Sequence, residues 1–198
     1  NLEGVLDMIY NPARTKLLLD AEARNIVAEN GLWMLVAQAK ESAEWFLTKQ
    51  ISNDVIPMIY HRLQSQMENI ALIGMPGSGK STVGKLLAEQ LNRQFIDADT
   101  LITELAGKTI PKIFEEDGEE VFRRWETKAL ERIGKESGLV IATGGGCVTQ
   151  SRNFPLLHQN STIIWLQRNL NTLPTDGRPL SASGQLEAMY RNRKPLYT

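Results

Sequence analysis

The sequence predicts an α/β protein: a parallel β-sheet flanked by helices, preceded by an all-helical segment. Three observations carry that prediction. The apolar run from Ile70 to Ile73 breaks into Gly74-Met75-Pro76-Gly77-Ser78-Gly79-Lys80-Ser81, so strand, glycine-rich loop and helix start follow one another directly. From Met67 onward, strand, loop and helix patterns repeat, as they do where crossover helices join parallel strands. Residues 1–67 read as a different unit, in which helical spacing dominates. A hydrophobic content of 42% over 198 residues is enough for a sizeable core, in one large domain or one and a half.

Tyr10-Asn11-Pro12 marks a turn, and Thr15 to Arg24 carries a short helix pattern. Asn30-Gly31 is a second turn signal before a longer helix, in which Leu32, Leu35, Ala39, Ala43 and Phe46 fall on one face. Ser52 to Asp54 can cap a third helix reaching about Gln66, with Pro57 near its first turn, where a missing N–H does little harm. Three helices in so short a stretch make a marginal core, so this segment is expected to pack on something else.

The loop after Ile73 has the spacing GxxxxGK[ST]. Glycines at 74, 77 and 79 let successive backbone N–H groups point inward at phosphate oxygens. Lys80 supplies a point charge for the outer phosphates, Ser81 offers a hydroxyl to Mg²⁺, and the helix from Thr82 to Leu91 presents its positive end to the same anion. Gly74, Met75, Pro76, Gly77, Ser78, Gly79, Lys80, Ser81 and Thr82 are therefore the candidate site for a nucleotide triphosphate.

Next comes the short strand Gln94 to Asp97, ending in Asp97-Ala98-Asp99. Carboxylates at the carboxyl end of a strand lie where open α/β sheets place their ligands. One of them can orient Mg²⁺ beside Ser81 and the other can accept a hydroxyl proton; the bland alternative is that Asp99 caps a helix from Thr100 to Ala106. Asp117-Gly118-Glu119-Glu120 reads as a capping box, with Asp117 at the N-cap of a helix through about Lys135, whose stripe is Phe122, Trp125, Ala129 and Ile133. Arg123 and Glu126 are neighbours on another face, either a fixed guanidinium for a carboxylate or a solvated ion pair.

Strands are also expected at Leu139 to Thr143 and Thr162 to Leu166. Neither ends in an acidic residue, and no Asn-Lys-x-Asp signature occurs, which points away from motor ATPases and GTPases toward small-molecule kinases. Gly144-Gly145-Gly146 lets backbone approach a ligand closely, and Cys147 beside it reads as a small packed residue. Asn169 to Gly184 reads as a mobile loop carrying Arg178, and Gln185 to Lys194 as a helix that stops before Pro195.

GMPGSGKST, FIDAD, the run from Ile113 to Arg123, GGGCVT, GRPL and YRNRKPLY resemble, in order, the motifs of shikimate kinases. The resemblance implies a P-loop, NMP-kinase-like fold over residues 68–198 that uses ATP and Mg²⁺ to phosphorylate the 3-hydroxyl of shikimate. It implies that Asp99 binds substrate hydroxyls and serves as base, that Asp97 and Ser81 attend the metal, and that Arg123 and Arg193 hold the shikimate carboxylate. Gly144, Gly145 and Gly146 would line its ring, Arg178 would be the lid arginine, and Glu126 would position Arg123. Lys80, Arg178 and Asp99 are the candidate catalytic set. The stretch between Leu166 and Arg178 is shorter than in many members and lacks the arginine that often stacks on adenine. The family continues past Thr198 into a final strand, so an open sheet edge is expected near Thr162 to Leu166.

Residues 1–67 resemble the closing helices of shikimate dehydrogenase, on Tyr10 to Thr15 and Asn30 to Ala39, with Gln38 matching a shikimate-binding residue. The catalytic and nicotinamide parts of that family lie upstream of what is present, so no dehydrogenase activity is expected here, and a bifunctional protein with an upstream dehydrogenase domain is. The start at Asn1 without a Met reads as the interior of a longer protein. A net charge of −1 without a basic stripe gives no nucleic-acid surface, and no run approaches the ~20 apolar residues of a membrane span. A single cysteine excludes an internal disulfide and fits a reducing cytoplasm. The alternatives are a gluconate-type kinase, or a non-catalytic nucleotide-binding module whose leading segment is an interaction surface.

Overall fold

A computed structural model describes residues 2–173 and 186–198. The chain divides into two compact units, Asn1–Glu68 and Asn69–Thr198.

The first unit holds β1 (Gly4–Leu6), α1 (Lys16–Glu22), β2 (Val27–Glu29), α2 (Leu32–Leu47) and α3 (Val55–Met67). It is not all-helical: β1 and β2 pair in parallel, Val5 opposite Ala28, with α1 as the crossover. Strands this short leave too few alternations to be read from sequence. Thr15 caps α1 by accepting from the Leu18 amide, and its own hydroxyl donates to Asp7 at 2.6 Å. The buried face of α2 is Leu32 and Val36; Phe46, expected on that face, is 88% exposed, as is most of Trp45 beside it. The third helix begins as expected, but Asp54 makes no side-chain cap bond, because the Ser52 hydroxyl donates to its carboxylate instead.

The second unit begins with β3 (Asn69–Ile73) and continues through α4 (Lys80–Leu91), β4 (Gln94–Asp97), α5 (Ala98–Ala106), α6 (Ile110–Lys112) and α7 (Glu119–Ile133). It then runs through β5 (Leu139–Ala142), α8 (Asn153–His158), β6 (Ser161–Trp165) and α9 (Leu186–Tyr197). The four strands lie in the order β4-β5-β3-β6, all parallel, with Leu72 opposite both Ala142 and Ile164. Every residue of β5 is buried, as parallel sheets covered on both faces require. Strand alternation divides the core: Leu72 and Val140 face Ala88 on α4, whereas Ala71, Ile73 and Ile141 share the other cluster with Leu130 and Ile133 of α7, Leu157 of α8 and Tyr197 of α9. Within the described sheet β6 is an edge, as is β4.

Side chains fasten the amino ends of the strands. Asn69, fully buried, donates to the Glu136 carbonyl and accepts from the Leu139 amide, both at 2.8 Å. Asn160 donates to the same Glu136 carbonyl at 2.7 Å. Such bonds satisfy buried backbone groups that no strand neighbour reaches.

Two local expectations are corrected. Asp117 does not cap α7: it ends a π-helical turn, Ile113–Asp117, and pairs with Lys108 at 2.8 Å, while Gly118 at φ 85° stands at the N-cap. The glycine supplies a left-handed turn that an aspartate would adopt only under strain. The last helix runs through Pro195 to Tyr197, one turn beyond the expected stop. Proline costs a helical hydrogen bond there, but burial of Tyr197 against the core compensates.

Candidate active site

The site grows from the carboxyl ends of the parallel strands. Past Ile73 the chain enters the phosphate loop, and Gly79, at φ 96°, turns it into α4. Lys80 is therefore the first helical residue. Only 7% exposed, it donates to the carbonyls of Gly74 and Met75, both at 3.0 Å, as a buried ammonium must. Two strands away, beyond β5, Asp97 ends β4 and caps α5, accepting from the Asp99 amide at 3.0 Å. The capping role thus belongs to Asp97, and Asp99 stands inside the first turn. The other oxygen of Asp97 accepts from the Ser81 hydroxyl at 2.6 Å, which joins the two candidate metal residues.

Arg123 and Glu126 form a buried pair rather than a solvated one. The Arg123 side chain, 10% exposed, reaches Glu126 at 3.0 Å and Glu119 at 2.9 Å, and the Glu126 side chain is 1% exposed. Burial raises the Glu126 pKa above the ordinary carboxylate value; Arg123 opposes that shift and the Asp99 charge adds to it. Burial lowers the Arg123 pKa, but the charges and hydrogen bonds of Glu126 and Glu119 outweigh it and leave it raised.

Beyond β5, each of three successive glycines makes room for a different neighbour. A Cβ on Gly144 would stand 2.8 Å from Asp99 Oδ1 and 3.1 Å from Glu126 Oε1; one on Gly145 would strike the Pro76 ring at 2.6 Å; one on Gly146 would meet the Arg123 guanidinium at 2.6 Å. The glycine turn is the place where phosphate loop, carboxylates and guanidinium close together, and only hydrogen fits between them. From α9, Arg193 donates to the Gly145 carbonyl at 3.0 Å. Cys147 is fully packed, and burial pushes its thiol up to about 12.

These groups surround one cavity of about 410 Å³. Pro76, Gly77, Gly79, Lys80, Ser81, Thr82, Asp97, Asp99, Arg123, Gly144, Gly145, Gly146 and Arg193 all line it. Gly74 and Met75 do not; their carbonyls lie beneath, holding Lys80. Ser78 is turned inward as well, its hydroxyl 3.1 Å from where a Gly74 Cβ would stand. Arg178 lies outside the described residues.

Several residues line the cavity that the sequence does not mark as lining it. Glu126 was named only as support for Arg123, and Phe114 and Phe122, with ring centroids 4.7 Å apart, supply an apolar wall beneath it. Arg168 also lines the cavity, three residues past the end of β6, so the stretch after Leu166 does bring an arginine to the site. Its position just past a strand end was the signal available.

Ser81 and Asp97 offer hard oxygen donors, and among the described residues no group of three His, Cys, Asp or Glu side chains could hold a metal ion. That donor set suits Mg²⁺, which takes one or two protein ligands and completes its shell with phosphate oxygens and water.

A parallel sheet with a phosphate loop at its switch point, facing a pocket that holds three carboxylates and three guanidinium groups, defines a P-loop small-molecule kinase. Known proteins sharpen the class. The profile of the shikimate kinase family matches residues 76–198, and the chain belongs to that family. It is 46% identical over 142 residues to the shikimate kinase of Synechococcus sp. (strain RCC307), spanning 67% of this chain and 72% of that protein. It is 44% identical over 138 residues to that of Sulfurihydrogenibium sp. (strain YO3AOP1), spanning 66% and 83%. Among solved structures, Acinetobacter baumannii shikimate kinase in complex with shikimate matches with a TM-score of 0.63 at 38% identity, covering 69% of this chain and 81% of that one. The Aquifex aeolicus enzyme matches with a TM-score of 0.59 at 31% identity.

Proposed function

We propose that the chain transfers the γ-phosphoryl group of ATP to the 3-hydroxyl of shikimate, giving shikimate 3-phosphate and ADP. The observation that carries this reading is that Lys80, the phosphate loop, Asp99, Arg123 and Arg193 all line a single cavity, in a chain of this family. Shikimate offers one carboxylate and several hydroxyls; Arg123 and Arg193 offer two guanidinium groups and Asp99 an acceptor carboxylate.

In the reaction the 3-oxygen forms a bond to the γ-phosphorus as the bond to the β-γ bridging oxygen breaks, and ADP departs with that electron pair. Asp99 takes the hydroxyl proton. Lys80 and the amides of Gly77 and Gly79 hold charge on the transferring phosphoryl, the dominant contribution in such chemistry. Arg178 would add to it. Arg123 and Arg193 orient the acceptor through its carboxylate, Arg123 itself fixed by Glu126 and Glu119. Ser81 and Asp97 would hold Mg²⁺, which would supply positive charge to neutralise the phosphates.

Residues 1–67 are read as the end of a shikimate dehydrogenase-like domain, whose remainder would precede them in a bifunctional protein, with residues 68–198 as the kinase. The product of that oxidoreductase is the substrate of this kinase. No helix among the described residues is long and apolar enough to cross a membrane, and a cytoplasmic location suits a chain with one cysteine. A coupled ADP-release assay, run with and without shikimate and with and without Mg²⁺, tests the reading. ADP release that needs both is expected; release indifferent to shikimate, or none, overturns it.

A further inference from the structure

One more side chain that holds the glycine turn sits on the added turn of α9. Tyr197 is four residues past Arg193, so both side chains leave the helix on one face. They meet a single atom: the Gly145 carbonyl accepts from Arg193 at 3.0 Å and from the Tyr197 hydroxyl at 2.8 Å. The Tyr197 ring is buried and lies nearly parallel to Trp165 of β6, centroids 5.4 Å apart. Its hydroxyl is also 3.8 Å from the Met75 sulfur, but a phenol has one proton, and the shorter contact to a far better acceptor takes it. Burial pushes the phenol up to about 12, so it stays a donor across the neutral range.

A trans peptide holds its N–H opposite its C=O. With the Gly145 oxygen fastened to α9, the amide of Gly146 points away from that helix. Gly146 lines the cavity, and a Cβ there would touch the Arg123 guanidinium. We propose that Tyr197 is a positioning residue for the acceptor substrate: with Arg193 it sets the Gly145–Gly146 peptide, so that the Gly146 N–H and Arg123 face the bound acid together. The proposal rests on the functional reading above. It couples the helix that supplies one substrate guanidinium to the loop packed against the other.

Tyr197→Phe removes one oxygen and keeps the ring on Trp165, and so separates the hydroxyl from the packing. Shikimate KM, and its Kd by calorimetry, are expected to rise about tenfold, while the KM for ATP stays within about twofold. Trp165→Phe is the packing control: Tm falls and both KM values hold. Equal shikimate binding by the unsubstituted chain and Tyr197→Phe overturns the positioning role and leaves the kinase reading standing. Parallel loss of both substrates with a lowered Tm reduces Tyr197 to packing and overturns it too. An unsubstituted chain that binds no shikimate overturns the kinase reading itself, and the proposal with it.

Discussion

At the scale of single residues, Asp99 and Gly144 make one unit. The carboxylate can lie over the glycine only because no Cβ intervenes, so Gly144→Ala should displace it by a few tenths of an ångström and lower kcat by about 10-fold to 100-fold, with nucleotide Kd unchanged. Asp99→Asn keeps the shape and removes the base; turnover should fall by about 10³-fold while ATP still binds, as read by ADP release and calorimetry. Cys147 offers a check on packing that needs no substrate. A thiol raised from 9.0 to about 12 should alkylate about 10³-fold more slowly in the folded chain than in urea at pH 8. Because the folded pKa is the higher one, this group's contribution to stability is full below 9.0 and is lost as pH rises toward about 12. Denaturant midpoints should therefore fall along that alkaline limb, and Cys147→Ala should flatten it. The identities of these residues were visible in the sequence, whereas their convergence was not. Nothing in the spacing of Asp99, Glu126 and Gly144 says that they meet within a few ångströms, because that depends on strand order.

At the scale of elements, α7 and α9 carry the acceptor side. The stripe of α7 was legible because Phe122, Ala129 and Ile133 keep helical spacing, and all three are buried. Its other face was not, since Arg123, Glu126 and Thr127 are buried too, and a buried ion pair looks like a solvated one in sequence. Arg123→Lys tests the fork geometry: a lysine cannot hold Glu126, Glu119 and a ligand carboxylate together, and shikimate KM should rise about 10-fold to 100-fold with kcat less affected, read from initial rates at saturating ATP. Misreadings at element ends share one cause, the tertiary partner. Asp117 is drawn off its cap by Lys108, and Pro195 is carried inside a helix because Tyr197 has a place in the core. Local rules for caps and proline describe a helix alone.

At the scale of the whole molecule, the β-α repeat from Met67 onward dictated a parallel sheet, and the parallel pairing of all four strands follows from it. The pairing in the first unit was hidden by strands of three residues each. Every described residue that lines the cavity falls between Pro76 and Arg193, so the piece 69–198 made alone should bind shikimate within about threefold of the full chain, a Kd comparison that locates the site in one unit. The pole of the sheet opposite the chemistry has its own vulnerability. There Asn69 and Asn160 both donate a hydrogen bond to the Glu136 carbonyl. Asn69→Asp or Asn160→Asp would turn a donor into an anion facing a carbonyl oxygen, a reversal from attraction to repulsion. Damage there would loosen the fold at a distance from an intact reaction centre, and lost activity would trace to a clasp rather than to a catalyst.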